Sequence, residues 1–148
     1  MNIVLRQLGQ TGIEITPIGL GVMQFAGGAG MYRVMFPKLS QETMNEIVGT
    51  ALAGKINWFD TAELYGWGRS EKGLAEALKA NQVADHEVVV ATKWWPLFRT
   101  ARNISRSIGD RQQYLDPYSI DLHIIHQPLS FSSPEAEGNA MADLVDQG

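Results

Sequence analysis

The sequence predicts an α/β fold of the (β/α)8 TIM-barrel type, in which only the first four βα units are present (a half barrel), preceded by an N-terminal β-hairpin. Four short apolar runs end at Gly21, Asp60, Lys93 and His126, 33 to 39 residues apart. Each interval has room for one strand, one helix and two loops, which is the size of a βα unit. Alternating strands and helices of this size favour a parallel sheet with right-handed crossovers.

A β-hairpin is predicted before the first of these strands. Val4-Leu5 and Ile13-Glu14-Ile15 flank the turn residues Gln10-Thr11-Gly12, which is the pattern of two short strands joined by a turn. The first strand of the barrel follows over residues 18–21. The loop from Gln24 to Leu39 then leads to the first helix, and a loop of that length is expected to form one wall of a binding pocket.

Four amphipathic helices are predicted to follow the four strands. The first begins at the N-cap Ser40 and stops near Gly54, and the second begins at Ser70-Glu71. The third has a weaker pattern over about residues 100–114, and Ser133-Pro134-Glu135 is a strong start for the fourth. Their predicted apolar faces are Met44, Ile47, Val48, Ala51 and Leu52, then Leu74, Ala77 and Leu78, then Ile104 and Ile108, and finally Met141, Leu144 and Val145.

A sheet of four such units would have two open edges and one exposed apolar face. Such surfaces associate readily, because unpaired backbone groups and apolar side chains are both left in water. A missing second half, a second chain or a rearranged fold is therefore expected to complete the barrel.

Composition limits the classes of function. The 148 residues, with 45% apolar and 19% charged side chains, are typical of one globular domain over residues 1–148. The net charge of −4 and the scattered basic residues argue against nucleic acid or an anionic membrane as a partner. No cysteine occurs, which excludes disulfides, thiol catalysis and thiolate metal sites. No apolar run approaches a membrane span, and the expected location is the cytoplasm.

Four polar side chains are the main candidates for chemistry. Asp60, Lys93 and His126 each end a predicted strand, and Tyr65 follows Asp60 on the loop that leaves the same strand. The carboxyl ends of neighbouring parallel strands meet at one rim of the sheet, so these side chains are expected to lie together. An acid, a phenol, an amine and an imidazole in one place can transfer protons.

Each of these residues also has an ordinary structural interpretation. An isolated strand-end aspartate is more often a helix cap or turn residue, a lone tyrosine more often packs, and a lone histidine is usually structural. Lys93 lies between Val88-Val89-Val90 and Trp94-Trp95, where a lysine needs a charged partner, and Asp60 is the expected one. A nearby ammonium is also expected to lower the pKa of Tyr65 from about 10.

Other motifs carry less weight. A metal site is not expected, because His126 is at the end of a predicted strand and the other two histidines, His86 and His123, are not. The segments Gly27-Gly28-Ala29-Gly30 and Gly66-Trp67-Gly68 lack the remaining residues of phosphate and dinucleotide fingerprints and are interpreted as loop glycines. Trp94, Trp95, Phe25, Met31, Tyr32 and Phe36 either wall an apolar pocket or pack in the core.

Four segments resemble the N-terminal half of an aldo-keto reductase. They are TPIGLGVMQF, INWFDTAELYGWGRSEKGLAEALK, VVVATKWWP and IDLHIIHQP, and the second is the most specific because it holds acid, tyrosine and helix in one block. The resemblance extends over nearly the whole chain. It differs from the usual family pattern at Lys55, where a glycine is commoner, and over residues 112–117.

The resemblance implies a catalytic tetrad and a cofactor. In it Asp60, Tyr65, Lys93 and His126 match the tetrad, with Tyr65 as proton donor, Lys93 paired with Asp60, and His126 orienting a small-molecule carbonyl substrate. The hydride would come from NADP(H). Gly21, Val22, Met23 and Asp60 would lie at the nicotinamide ribose, and Trp94, Trp95 and Phe25 would line the substrate pocket. The family binds most of the rest of its cofactor through strands five to eight.

Two main functions therefore remain open. The chain is either an NADPH-dependent reductase of aldehydes and ketones once its barrel is completed, or a truncated, non-catalytic fragment or interaction module that keeps the tetrad without the cofactor-binding half. A cofactor-sensing subunit, of the kind that the family supplies to channels, is an intermediate hypothesis.

Overall fold

A parallel sheet of four strands forms the centre of the computed structural model, which describes residues 4–28 and 30–148; Ala29 of the glycine-rich loop lies outside the described residues. The sheet contains β3 (Leu20–Gly21), β4 (Trp58–Asp60), β5 (Val89–Trp94) and β6 (Leu122–Ile125), hydrogen-bonded in chain order. The predicted α/β fold with a parallel sheet is confirmed. The strands end within one residue of the positions that the apolar runs indicate.

The predicted hairpin lies before the sheet and is tied to it by side chains. Its strands β1 (Arg6–Gln7) and β2 (Glu14–Ile15) pair antiparallel. The Asn57 side chain accepts a hydrogen bond from the backbone N–H of Thr16 (2.8 Å) and donates one to the carbonyl of Glu14 (2.9 Å). The Trp58 indole donates to the Thr16 carbonyl at 3.0 Å. The hairpin is therefore fixed at the entry of β4, away from the carboxyl ends of the strands.

Five α-helices accompany the strands in the described part of the chain. They are α1 (Tyr32–Met35), α2 (Gln41–Ala53), α3 (Arg69–Ala80), α4 (Arg102–Leu115) and α5 (Pro134–Gln147). The caps of α2 and α5 are the predicted serines: the hydroxyl oxygen of Ser40 accepts from the Thr43 N–H, and that of Ser133 from the Ala136 N–H. The short α1 lies within the long loop and was not predicted.

One face of the sheet packs against the helices. Alternate strand residues project to opposite faces, and Phe59, Val90 and Trp94 are fully buried on the helix side. There they join two apolar clusters, one with α2 and α3 through Val48, Leu74 and Leu78, the other with α4 and α5 through Ile104, Met141 and Leu144. Val145 does not take part as predicted, because it faces water with 81% of its surface exposed.

The end of α2 explains an unusual residue in the sequence. The helix stops at Gly54 as predicted; the φ of Gly54 is −76°, and the residue in the left-handed conformation is the next one, Lys55, at φ 65°. This conformation allows the Ile56 N–H to reach the Ala51 carbonyl at 3.0 Å. A residue with a Cβ is strained in this conformation. This strain is the physical reason why a glycine is commoner than a lysine at this position in the family pattern.

No helix within residues 4–28 and 30–148 is both long enough and apolar enough to cross a membrane.

Replacing Lys55 by glycine is expected to stabilise the chain. Relief of the left-handed strain outweighs the extra freedom of an unfolded glycine, for a net gain of about 0.5–1 kcal/mol in the free energy of unfolding. The control is Lys79→Gly in α3, where the same substitution removes helix propensity and costs about 1 kcal/mol. Urea titration of both variants measures the two shifts, and an unchanged or lower midpoint for Lys55→Gly would contradict the assignment of strain.

Candidate active site

The carboxyl ends of the parallel strands bring the predicted polar residues to one rim. Gly21 of β3 pairs in register with Asp60 of β4, and Asp60 with Ala91 of β5, two residues before Lys93. Backbone hydrogen bonds extend this pairing past the strand ends: Thr61 N–H donates to the Ala91 carbonyl, and His126 N–H to that of Trp94. The loops that leave the strands are therefore held close to the rim.

An ion pair between Lys93 and Asp60 forms the centre of the site. The Lys93 ammonium lies 2.6 Å from Asp60 Oδ2 and donates a second hydrogen bond to the Thr61 carbonyl at 2.8 Å. Its side chain is only 14% exposed and that of Asp60 27%. A charged amine with so little water needs such partners, and the neighbouring strands supply both of them.

Tyr65 lies beside this ion pair. The Lys93 Nζ is 5.1 Å from the centroid of the Tyr65 ring, and the ring also makes an edge contact with Tyr32, with centroids 6.2 Å apart. The expectation that the ammonium lowers the pKa of Tyr65 is wrong. Burial, and next the negative charge of Asp60, raise the pKa of Tyr65 above its ordinary value of 10.0, because the Lys93 charge is already paired with Asp60.

His126 completes the group. Its ring packs edge-on against Tyr65, with centroids 5.5 Å apart and planes 83° from parallel. Burial, and then the positive charge of Lys93, lower the pKa of His126 below 6.5 against the opposing effect of Asp60. The imidazole is therefore neutral at pH 7. Its buried Nδ1 has no hydrogen-bond partner among the residues that the structure describes.

The loop that carries Tyr65 is fixed by a residue that the sequence patterns did not indicate. Glu63 is 7% exposed, and its carboxylate oxygen Oε2 accepts hydrogen bonds from the Trp95 N–H (3.0 Å) and from Arg99 Nη1 (2.7 Å). Its backbone N–H donates to the Lys93 carbonyl at 3.0 Å. The only available signal in the sequence was an acidic residue two positions before Tyr65.

The predicted cofactor-binding residues at the end of β3 differ in how far a ligand can reach them. Gly21 is exposed beside Asp60, and a Cβ built there would meet nothing within 4 Å, so a flat group could approach its backbone closely. Met23 is half-buried at the start of a 3-10 turn (Met23–Ala26). The prediction for Val22 has to be corrected: its side chain is in the core, its N–H donates to the Asp60 carbonyl, and its carbonyl accepts from Ser70 Oγ.

An apolar cavity of about 380 Å³ lies beside the loop that carries Tyr65. It is walled by Gly30, Met31, Tyr32, Leu64, Gly66, Trp67, Trp95, Leu97 and Gln127. Trp67 and Trp95 meet edge to face, with ring centroids 5.2 Å apart. Trp67 is 59% exposed in a left-handed loop conformation, a geometry that the sequence patterns did not predict.

The predicted pocket residues Phe25 and Trp94 do not line this cavity. Phe25 is 2% exposed in the cluster with α2 and α3, and Trp94 is fully buried in the cluster with α4 and α5. The reason for Trp94 is the alternation of side chains along β5, which sends it to the face opposite Lys93. Of the three predicted residues, only Trp95 is in the wall.

A buried charged cluster lies behind the rim, between the sheet and helices α3 and α4. The fully buried Glu71 accepts a hydrogen bond from the Thr92 hydroxyl at 2.7 Å, and its Oε2 lies 3.2 Å from Arg111 Nε. Arg111 Nη1 is also 3.5 Å from Glu63 Oε1. Burial raises the pKa of Glu71 to about 7, against the effects of Arg111 and Thr92. Burial lowers the pKa of His123 to about 4.

No cluster of three or more histidine, aspartate or glutamate side chains among the described residues could hold a metal ion.

Comparisons with protein families, curated proteins and solved structures all match this chain to oxidoreductases. A family profile described as the aldo/keto reductase family matches residues 17–148. A protein of Mycobacterium tuberculosis, named as an uncharacterized oxidoreductase, is 33% identical over 135 residues, which cover 91% of this chain and 40% of that protein. A solved thermostable aldo-keto reductase, in complex with the inhibitor epalrestat, is 31% identical with a TM-score of 0.78, over 99% of this chain and 51% of that one.

The fold recurs in more distant structures. An aldo-keto reductase from Klebsiella pneumoniae, solved in complex with NADPH, has a TM-score of 0.74 at 19% identity, over 100% of this chain and 47% of that one. The chain thus spans about half the length, or less, of the relatives that it matches.

Stability is expected to respond to pH through Glu71 and His123 in opposite directions. Between about pH 4.5 and 7 folded Glu71 holds a proton that the unfolded chain has released, so its contribution to stability falls as pH rises. Between about pH 4 and 6.5 the unfolded chain protonates His123 and the folded chain does not, so that contribution rises with pH.

Glu71→Gln removes the first contribution and leaves the second. We expect the free energy of unfolding of this variant to rise more steeply with pH between 4.5 and 6.5 than that of the parent chain. Urea titrations at four pH values measure both slopes. Parallel curves for the two proteins would show that Glu71 does not titrate in this range.

The pKa of Tyr65 is expected to fall in Asp60→Asn. The substitution removes a negative charge that raises this pKa and leaves the Lys93 ammonium without its counter-ion. The pKa of each of the four tyrosines is measurable by 13Cζ NMR, with the Tyr65 signal assigned from Tyr65→Phe. Tyr118, whose pKa is raised by burial and by Asp85, is the internal control. A Tyr65 pKa that stays the same or rises would contradict the role of Asp60.

Proposed function

The chain belongs to the aldo/keto reductase family, and from this membership we propose that it supplies the proton-transfer site of an enzyme that reduces aldehydes and ketones with NADPH. One observation carries the proposal. The Lys93–Asp60 ion pair at 2.6 Å, the Tyr65 ring 5.1 Å from Lys93 Nζ and the His126 ring 5.5 Å from Tyr65 lie together at one rim.

Tyr65 is the proposed proton donor. Its raised pKa keeps the phenol protonated at neutral pH, as a general acid must be before the reaction. The carbonyl oxygen gains negative charge as it is reduced, and this charge raises its affinity for the Tyr65 proton. Lys93, fixed by Asp60 and the Thr61 carbonyl, would stabilise the phenolate that remains.

His126 is proposed to orient the carbonyl group. The lowered pKa leaves its imidazole neutral, so one ring nitrogen carries a hydrogen and the other does not. A neutral ring at this position can donate a hydrogen bond to the carbonyl oxygen without adding a second positive charge beside Lys93. The edge contact with Tyr65 supports a shared position for the oxygen between the two side chains.

The residues at the end of β3 fit a nicotinamide nucleotide. The open backbone at Gly21, next to Asp60 and Met23, leaves room for a flat ring or ribose. NADPH, when bound, would supply the hydride. NADPH rather than NADH is proposed from the family resemblance, and it is the nucleotide with which the Klebsiella structure was solved.

The cavity beside Tyr65 supports an apolar carbonyl substrate. Its volume of about 380 Å³ falls at the lower end of the range for small-molecule pockets. The Trp67–Trp95 pair and Leu64 offer apolar surface, and the two chain neighbours of Tyr65, Leu64 and Gly66, both lie in the cavity wall. We propose small aromatic aldehydes as the class to assay first.

We further propose that the four-stranded sheet is half of a (β/α)8 barrel. Within the described residues β3 and β6 each pair on one side only, and Ile124 on the face opposite the helices is 41% exposed. Four more βα units, in the same polypeptide or in a second chain, would pair these edges and cover that face. The extent of the matches to longer relatives supports this proposal.

The experiment measures nucleotide binding and turnover separately. NADPH fluorescence titration gives the dissociation constant, and oxidation of NADPH by an aromatic aldehyde gives the rate. We expect Tyr65→Phe to reduce kcat by about 10²–10⁴-fold, the usual contribution of a positioned acid, with little change in NADPH binding. The control Tyr114→Phe removes a hydroxyl from α4 and is expected to keep the parent rate.

Two results would count against this function. Equal turnover in the parent and Tyr65→Phe would exclude Tyr65 as the acid. No NADPH binding at millimolar nucleotide would exclude a reductase in this chain and favour a non-catalytic interaction module.

A further inference from the structure

A buried carboxylate with no part in the proposed proton transfer lies two residues before Tyr65. Glu63 is 7% exposed, and a buried glutamate is retained only where charged or polar partners compensate its desolvation. All of its partners lie on β5, on the loop after β5, or on α4. The Glu63 side chain thus adds a link between the Tyr65 loop and these elements, beyond the ion pair of Asp60 with Lys93.

Two contacts of Glu63 lie at the carboxyl end of β5, next to Lys93. Its backbone N–H bonds the Lys93 carbonyl itself at 3.0 Å, and its Oε2 accepts from the backbone N–H of Trp95, two residues further on, at 3.0 Å. The loop from Asp60 to Tyr65 is therefore fixed to the backbone directly after Lys93, the residue that Tyr65 has to face.

Two arginines hold the carboxylate in this position. Arg99 Nη1 donates to Glu63 Oε2 at 2.7 Å and to the Trp95 carbonyl at 3.0 Å, so one guanidinium bonds both the carboxylate and the strand end. Arg111 Nη1 lies 3.5 Å from the other oxygen, Oε1. The Arg99 contact is a charge-assisted hydrogen bond, which is shorter and stronger than a neutral one, and Arg111 adds its positive charge beside Oε1.

We propose that Glu63 is a positioning residue, which clamps the Tyr65 loop onto the end of β5 and thereby sets the distance of the phenol from Lys93 and His126. The clamp deepens the proposed function and rests on it for its catalytic meaning. Because Trp95 N–H is one of its donors and Trp95 walls the apolar cavity, the same carboxylate fixes one side of the substrate pocket.

The test compares three variants of the full chain. Glu63→Ala removes the clamp, and Glu63→Gln keeps an oxygen that can accept from Trp95 N–H. Glu71→Gln is the matched control, because Glu71 is also a buried glutamate that pairs with Arg111, and within the described part of the chain its hydrogen bond and ion pair go to Thr92 and Arg111 rather than to the Tyr65 loop. Arg99→Gln is a fourth variant, which weakens the clamp from its partner's side if Glu63→Ala does not fold.

The kinetic result expected is a loss in kcat without a loss in nucleotide binding. A displacement of the acid by about 1 Å lowers the rate about 10²-fold in comparable cases, so we expect a fall in kcat of about 10- to 100-fold for Glu63→Ala, with the NADPH dissociation constant changed less than about twofold. Glu63→Gln should recover most of the rate. Glu71→Gln should keep it, even where its stability differs.

A second readout needs no turnover. Nuclear Overhauser contacts between the ring protons of Tyr65 and His126, whose centroids lie 5.5 Å apart, report the position of the phenol in the chain without nucleotide. We expect these contacts to be lost in Glu63→Ala and to persist in Glu63→Gln and Glu71→Gln. Parent-like contacts in a folded Glu63→Ala, or the same loss in Glu71→Gln, would overturn the proposal.

The two readouts separate the two proposals. If the parent chain has no turnover, the proposed function fails, and the ring contacts alone decide whether Glu63 positions Tyr65. If the parent chain turns over and Glu63→Ala has the parent kcat, the clamp fails while the function stands.

Discussion

The half-buried ammonium of Lys93 is the constraint on which the rest of the site depends. A lysine with a side chain 14% exposed stays charged only beside an anion and a good hydrogen-bond acceptor. Asp60 and the Thr61 carbonyl meet that need, and both come from the end of β4, in register with β5. Satisfying this one charge fixes Asp60 and Thr61, where the loop that carries Tyr65 begins.

The pairing also determines what kind of acid Tyr65 is. A free ammonium would favour the phenolate, but the charge of Lys93 is offset by Asp60, and burial with the Asp60 carboxylate raises the pKa of Tyr65 instead. The same environment lowers the pKa of His126. At pH 7 the neutral side chains of Tyr65 and His126 therefore lie beside the ion pair of Lys93 and Asp60. Such a site holds its proton until negative charge develops on a bound group, which is the requirement of a general acid.

The sequence was informative wherever a side chain's role follows from its place at a strand end. The rim residues Asp60, Lys93 and His126, the parallel sheet and the serine caps all follow from local patterns. Trp94 was misassigned although the period of two along β5 already places it opposite Lys93. The position of Trp67 in the cavity wall could not be predicted from these patterns. It requires left-handed backbone at three successive residues, Gly66, Trp67 and Gly68. Glu63 was missed because its partners Arg99 and Arg111 are 36 or more residues away.

The charged cluster behind the rim links the stability of the scaffold to the geometry of the site. Arg111 of α4 contacts Glu71 of α3 and Glu63 of the Tyr65 loop, so one guanidinium belongs to both the helix layer and the rim. Protonation of Glu71 removes one of the two negative charges that balance this guanidinium. The site thus depends on the helices through charge as well as through packing.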